Sequence, residues 1–268
     1  MYIRILADNI TKDTLQAEWG LSLYIEYKGH RILLDAGTTG IFADNAQKLG
    51  IDLDEIEFAV LSHAHYDHSD GLERFFRENR MAKCYIRSCC KEDCYDRIKD
   101  KYIGIKKGML ELYADRFAGI DGDYGLLPGV TLLPHKTEGL DKLGEKAGMY
   151  RYREEVWIPD DFSHEQSLVF ETERGLVVCN SCCHGGGDCI IEEVQRTYPD
   201  KKIYALIGGL HLFKSSDEEV FKMAERIRKT GVEKLYTGHC TGERAMELLK
   251  EKLGDMAVQI YTGMEIKI

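Results

Sequence analysis

The stretch Leu61–Leu72, LSHAHYDHSDGL, crowds four groups able to hold a metal ion into one short loop: His63, His65, Asp67 and His68. His63 and His65 stand two residues apart, so in extended backbone both imidazoles project to one side and can share an ion. Asp67 and His68 follow the bend and can face a second one. Imidazole nitrogens with one carboxylate oxygen are the donors a borderline-soft dication such as zinc takes, and a catalytic site leaves one coordination position to water. The chain has only nine histidines in 268 residues, so three in one loop is not a product of composition. Ser69 or Asp70 is expected to cap the following helix, and Gly71 to let the backbone turn close to the ligands.

Metal ligands usually converge from several strand ends, so histidines beside apolar runs are the next candidates. His164 stands just ahead of an apolar strand in PDDFSHEQSLVF. His211 follows Ile203 to Ile207 in LIGGLHL, and His239 follows Lys234 to Tyr236 in YTGHCTG, where glycines admit close backbone approach. The segment VVCNSCCHGGGDCI adds Cys182 and His184. A dication would deprotonate the Cys182 thiol and take it as a ligand; the other reading is an inert buried thiol. His184 can bind a substrate phosphate or carboxylate, and the amides of Gly185, Gly186 and Gly187 can receive a phosphate. Cys84, Cys89, Cys90 and Cys94 lack the paired C-x2-C spacing of a structural zinc site and read as ordinary thiols.

The elements that must position these groups follow from periodicity. Tyr2 to Leu6 and Leu21 to Tyr27 are strands, the second paired through Lys28-Gly29-His30 with Arg31 to Leu34. Ile41 to Leu49 is helical and stops at Gly50. The apolar run Phe58 to Leu61 is a strand leading into the histidine loop, Leu72 to Phe76 starts a helix, and a short strand surrounds Cys84 to Arg87. From 88 to 159 the pattern loosens among scattered aromatics, an inserted lid that touches substrate or a subsidiary region with its own small core. Strands return at Gln166 to Glu171, Leu176 to Cys179, Ile203 to Ile207 and Leu235 to Tyr236. Helices are expected at Ile190 to Tyr198, Asp217 to Thr230 and Glu243 to Leu253, and short strands near Val258 and Ile266. The two halves have similar order, as two sheets packed face to face with helices outside require.

At this length the chain can form one large domain, 1–268, with a sizeable core. A net charge of -10 disfavours broad nucleic-acid binding. No stretch approaches the roughly 18 apolar residues that span a bilayer, and the N-terminus does not read as a signal peptide. An odd count of nine cysteines without such a signal points to reduced thiols and a cytoplasmic setting.

The H-x-H-x-D-H pattern after a hydrophobic strand resembles the signature of the metallo-beta-lactamase superfamily. Together with EWGLSLYIE, HEQSL, GGLHL and GHCTG, it is similar to the branch of dihydropterin ribofuranosyl-aminobenzene phosphate synthase-like metal-dependent hydrolases. The resemblance runs from about Asp8 to Gly242. It implies an α/β fold, a four-layer αββα sandwich, and two divalent metal ions, zinc first, with manganese or iron as alternatives. It further implies that His63, His65 and His164 hold one ion and that Asp67, His68 and His239 hold the other. Asp35 would brace the histidine loop, or simply end a strand. Where most of the superfamily has a bridging aspartate, this chain has Ser181, Cys182, Cys183, His184 and Gly185.

The chemistry implied is hydrolysis of a phosphoester or related ester by water that the ions bring to a pKa near 7. Asp67 would orient that nucleophile, and His211 or His184 would meet the substrate and protonate the leaving group. The partner is a small molecule, with a phosphate in this reading. Two rivals share the fold: a transferase-type synthase of the branch's name and an iron-dependent sulfur dioxygenase.

Overall fold

The computed structural model describes all 268 residues, and these fall into two compact units. The first takes residues 1–121, 138–165 and 261–267; the second takes 122–137 and 166–260.

Alternating side chains build the antiparallel edge of the first unit. Tyr2–Ala7 pairs with Ser22–Tyr27, setting Ile3 opposite Ile25, and Ser22–Tyr27 pairs in turn with His30–Leu34. Lys28 and Gly29 both take positive φ, 50° and 85°, as the two centre residues of a tight hairpin turn whose twist matches its strands must. Beyond the hairpin the strands run parallel: His30–Leu34, Phe58–Val60, Lys83–Arg87 and Phe117–Ile120. With Glu265–Lys267 on the outer edge they complete a seven-stranded sheet. Helices Ile41–Lys48 and Leu72–Glu78 bury Phe42, Ala46, Phe75 and Phe76 in one core with Leu33 and Ala59. Enclosing a phenylalanine such as Phe75 completely is worth about 1.5–3 kcal/mol.

The expected caps of helix Leu72–Glu78 are absent. Gly71 holds the cap position without a side-chain bond, and Asp70 instead accepts from the Lys106 amide at 3.1 Å. Nor is Gly71 needed for a turn, since its φ is -67°. It is needed for closeness, because a Cβ there would collide with the carbonyl oxygens of Ala36 and Thr39.

In the second unit, Tyr124–Leu127, Val130–Pro134, Gln166–Thr172 and Gly175–Cys179 run antiparallel. Ile203–Ile207, Lys234–Thr237 and Ala257–Gln259 then add in parallel, giving another seven-stranded sheet. Helices Gly187–Thr197, Asp217–Lys229 and Glu243–Leu253 cover its apolar strands with Ile190, Ile227 and Leu249. Asp217–Lys229 opens on a capping box of Ser216 and Glu219, with acidic residues in its first turn and basic ones in its last.

The stretch expected to be loop-rich is ordered into short pieces. Val156–Pro159, Met149–Arg153, Cys94–Asp96 and Lys101–Tyr102 form a four-stranded sheet within the first unit. Tyr95 meets Tyr102 and Trp157 edge to face, each at 5.1 Å between ring centres. Strands of two to five residues are too short to print a period on the sequence. No helix is long and apolar enough to cross a membrane.

Because Gly71 faces backbone atoms that cannot swing aside, Gly71→Ala is expected to cost about 1–3 kcal/mol. Gly50 has φ 73° and nothing within 4 Å of a Cβ, so Gly50→Ala carries only backbone strain, about 1 kcal/mol. Urea unfolding of both variants checks this; a Gly71→Ala midpoint equal to that of wild type would contradict the close approach.

Candidate metal centre

The histidine loop of the first unit hangs on Asp35, which ends strand His30–Leu34 at φ 58° and is fully buried. Its Oδ1 accepts the Ser62 amide at 2.7 Å; its Oδ2 accepts the Ser62 hydroxyl at 2.6 Å and His68 Nδ1 at 2.8 Å. Because a carboxylate accepts, His68 Nδ1 carries the hydrogen and Nε2 keeps its lone pair. The Ser62 hydroxyl donates to Asp35, so it accepts from His63 Nδ1 at 2.8 Å, which leaves His63 Nε2 with its own lone pair. One carboxylate and one hydroxyl thus set two imidazoles in the form that binds a cation. The ligand atoms of Asp35, His63 and His68 lie within 4.8 Å of one another.

His65 turns towards different company. Its ring and that of His63 stand edge to face at 4.6 Å, while its ligand atom groups with those of Cys94, Asp160 and His164 within 4.8 Å. His164 Nδ1 accepts the Ala64 amide at 3.1 Å, so Nε2 carries the hydrogen and meets Asp160 Oδ2 at 3.0 Å, with Cys94 Sγ at 3.8 Å. Burial and the nearby His164 ring push the pKa of His65 down to about 3, so its imidazole is neutral. Burial raises Asp160, but His164 outweighs it and holds the carboxyl well below its usual range. Burial and Asp160 push the Cys94 thiol well up.

Two further contacts fix the loop. The Tyr66 amide donates to Ile103 O at 2.9 Å beside a single bridge between His65 and Gly104, and Trp19 Nε1 donates to Asp67 Oδ2 at 2.8 Å. Asp67 Oδ1 lies 3.9 Å from His68 Nε2.

The second unit gathers its own donors where three parallel strands end. Cys182 follows Gly175–Cys179, His211 follows Ile203–Ile207, and Cys240 sits in the turn His239–Thr241 after Lys234–Thr237. The ligand atoms of Cys182, His211 and Cys240 lie within 4.8 Å of one another. Cys183, His211 and His239 take positive φ of 50°, 50° and 49°, a rare conformation for residues with side chains, and one that gathers at functional sites. The His184 and His211 rings are 4.4 Å apart, and His211 Nδ1 is buried without a hydrogen bond. Burial raises the Cys240 thiol, but its hydrogen bond with Cys182 and the neighbouring His239 and His211 outweigh that and hold it well below its ordinary value.

The glycine run offers one amide fewer than the expected phosphate cradle. The Gly186 amide is spent on Cys183 O at 2.8 Å, Gly187 opens helix Gly187–Thr197 against Leu210, and a Cβ on Gly185 would strike the His135 ring. The four thiols of the first unit do not share a site. Cys89 Sγ points at Ser163 O, 3.1 Å away, Cys90 Sγ at His164 O, 3.7 Å away, Cys84 lies in the core, and Cys94 joins the histidines.

Two residues the sequence did not single out, Asp160 and Cys240, therefore stand among the donors, and so does Cys94, which the sequence read as an ordinary thiol. Asp160 lies four places before His164 in PDDFSH, and Cys240 adjoins His239 in GHCTG, so adjacency to a candidate histidine was the available signal. Buried imidazoles whose hydrogens are placed by a hydroxyl and a carboxylate, as at His63 and His68, fit a divalent metal ion.

The sequence profile of the metallo-beta-lactamase superfamily matches residues 20–197. The chain belongs to the metallo-beta-lactamase superfamily. A curated relative from Methanocaldococcus jannaschii, a 7,8-dihydropterin-6-methyl-4-(beta-D-ribofuranosyl)-aminobenzene-5'-phosphate synthase, is 27% identical over 94% of this chain and 90% of its own. An uncharacterized protein of the same organism is 28% identical over 93% and 94%. Among solved structures, a metal-dependent hydrolase of the beta-lactamase superfamily is 29% identical with a TM-score of 0.85, covering 100% of this chain and 99% of that one. A diphosphatase of the PhnP family shares the fold, at 14% identity and a TM-score of 0.57 over 100% and 97%. The metallo-beta-lactamase fold, mixed α/β with several sheets, is thus the fold of this chain.

In this metallo-beta-lactamase superfamily member, Asp35→Asn is expected to weaken divalent metal binding about 10–100-fold, measured by competition with a chromogenic chelator. The metal-free protein should also lose stability in acid through His65. Its unfolded pKa of about 6.5 exceeds the folded value near 3, so this contribution is full above about pH 6.5 and fades as pH falls towards about 3. Urea unfolding across that window should show a shallower decline in His65→Gln; parallel curves would contradict the assignment.

Proposed function

We propose that this protein is a metal-dependent hydrolase of a phosphoester or related ester. The observation that carries the proposal is the buried histidine loop, in which Asp35 and Ser62 place the hydrogens of His63 and His68 on Nδ1 and His65 is held neutral. In the first unit we assign His63, His65, Asp67 and His68 as metal ligands, and in the second Cys182 and His239; His164 joins them only if it gives up its bond with the Ala64 amide or with Asp160. Two divalent ions, zinc before manganese or iron, when bound supply hydroxide from water near neutral pH and draw charge from the scissile bond.

The side chains do the rest. Asp67, aimed by the Trp19 indole, orients the attacking water. His211, with Nδ1 free of any hydrogen bond, gives its proton to the leaving group, and His184 beside it receives the substrate's phosphate or carboxylate. Likeness to a metal-dependent hydrolase over the whole chain supports this reading. The relative named as a synthase supports a second one, condensation of a dihydropterin with a ribofuranosyl aminobenzene phosphate. The two differ in whether water or an organic nucleophile attacks.

The test is turnover of aryl phosphomonoesters and phosphodiesters by purified protein, with its metal content measured alongside. We expect activity to vanish with a chelator and return with zinc or manganese. It should fall in His65→Ala and His239→Ala by more than the roughly 10–100-fold typical of an outer contact. Hydrolysis that ignores chelation and both substitutions would sink the proposal, as would iron-bound protein that consumes oxygen with a thiol and hydrolyses nothing.

A further inference from the structure

We propose that Cys182 and Cys240 form a redox couple, joined by hydrogen peroxide into an intramolecular disulfide. Their sulfurs are 3.3 Å apart although 58 residues separate them in sequence. The sheet makes the meeting: Cys182 leaves Gly175–Cys179, Cys240 follows Lys234–Thr237, and Ile203–Ile207 lies between those strands. After that middle strand comes Gly209, whose missing side chain leaves the room. A Cβ there would collide with Cys240 Sγ and come within 2.9 Å of Ser181 O. The His211 amide points at the Cys240 sulfur from 3.3 Å, which fixes it facing Cys182.

The separation decides between two uses of paired thiols. Two thiolates on one tetrahedral zinc, each about 2.3 Å from the metal, sit about 3.8 Å apart. The pair here is closer than that, and a further approach of about 1.2 Å reaches the disulfide length of about 2.05 Å. Cys183 does not compete, because its thiol donates to Asn180 O at 3.6 Å and packs in the core. Both sulfurs are buried, with residue exposures of 2% and 1%, so the oxidant must be water-sized; peroxide qualifies and a bulky disulfide does not.

The chemistry balances. One sulfur attacks a peroxide oxygen, the O–O bond breaks, and a sulfenic acid and water result. The second sulfur attacks the sulfenyl sulfur, the S–S bond forms, the S–O bond breaks, and a second water leaves with the remaining thiol proton. Two thiols thus give two electrons to one peroxide. One consequence rests on the proposal that Cys182 is a metal ligand: a disulfide sulfur offers no thiolate, so oxidation would remove that ligand.

The full-length, metal-stripped protein is treated with hydrogen peroxide, alkylated in denaturant, digested with trypsin and analysed by mass spectrometry without reduction. We expect a cross-linked species joining peptides 175–196 and 235–244, lost on adding dithiothreitol. It should be absent from Cys182→Ser and from Cys240→Ser, and present in Cys183→Ser. Wild-type protein whose two cysteines are alkylated or carry sulfinic acid without the cross-link would overturn the couple, as would a cross-link that persists in Cys182→Ser. Zinc content of oxidised and reduced protein is read separately. A lower content after oxidation supports the ligand role of Cys182, while an unchanged content with the cross-link present overturns that role and leaves the couple standing.

Discussion

The carboxylate of Asp35 is the constraint on which the histidine loop depends. It is buried, sits at a left-handed φ, and spends its oxygens on the Ser62 amide, the Ser62 hydroxyl and His68. A charge in that position would be costly if its partners were missing, and each partner left without it would cost about 1–3 kcal/mol. The network therefore does two things at once. It pins the end of strand Phe58–Val60 to the neighbouring strand, and it decides which nitrogen of two imidazoles bears the hydrogen. The orientation of the ligands is a property of the sheet edge rather than of the loop alone.

The second unit reaches a comparable result by other means. Its donors stand on tight turns after parallel strands, at positive φ for Cys183, His211 and His239. Backbone groups and absent side chains do the positioning: the Gly209 amide bonds Ser181 O at 2.8 Å, and the Thr241 hydroxyl accepts the Leu210 amide at 3.0 Å. The helices beneath supply the core, and the turns carry the strain.

Much of this was legible in the sequence because long, regular elements announce themselves. The hairpin around Lys28 and Gly29, the run Phe58 to Leu61, and the helix Glu243–Leu253 all follow from periodicity and turn chemistry. The histidine loop was legible because four donors in six positions are rare. The short strands between residues 94 and 159 were not, since two to five residues backed by aromatic pairs leave no period to find. Asp160 and Cys240 were missed, and Cys94 was read as an ordinary thiol, for another reason. Asp160 and Cys240 stand beside candidate histidines, but their meetings with His65 and Cys182 come only when segments far apart in sequence converge. The glycines at 185–187 promised one amide too many, and their smallness serves packing against His135 and Leu210.

The bridge from His65 to Gly104, with the Tyr66 amide on Ile103 O, makes the later segment a tether for the ligand loop. That segment continues from strand Lys101–Tyr102, whose register is held by Tyr95 opposite Tyr102. A one-residue slip there would flip the alternation and drag the tether with it, displacing His65 from Asp160 without touching either. Segment 101–104 and the ligand loop are thus mechanically one piece, and a change in the length of either would be felt by the other.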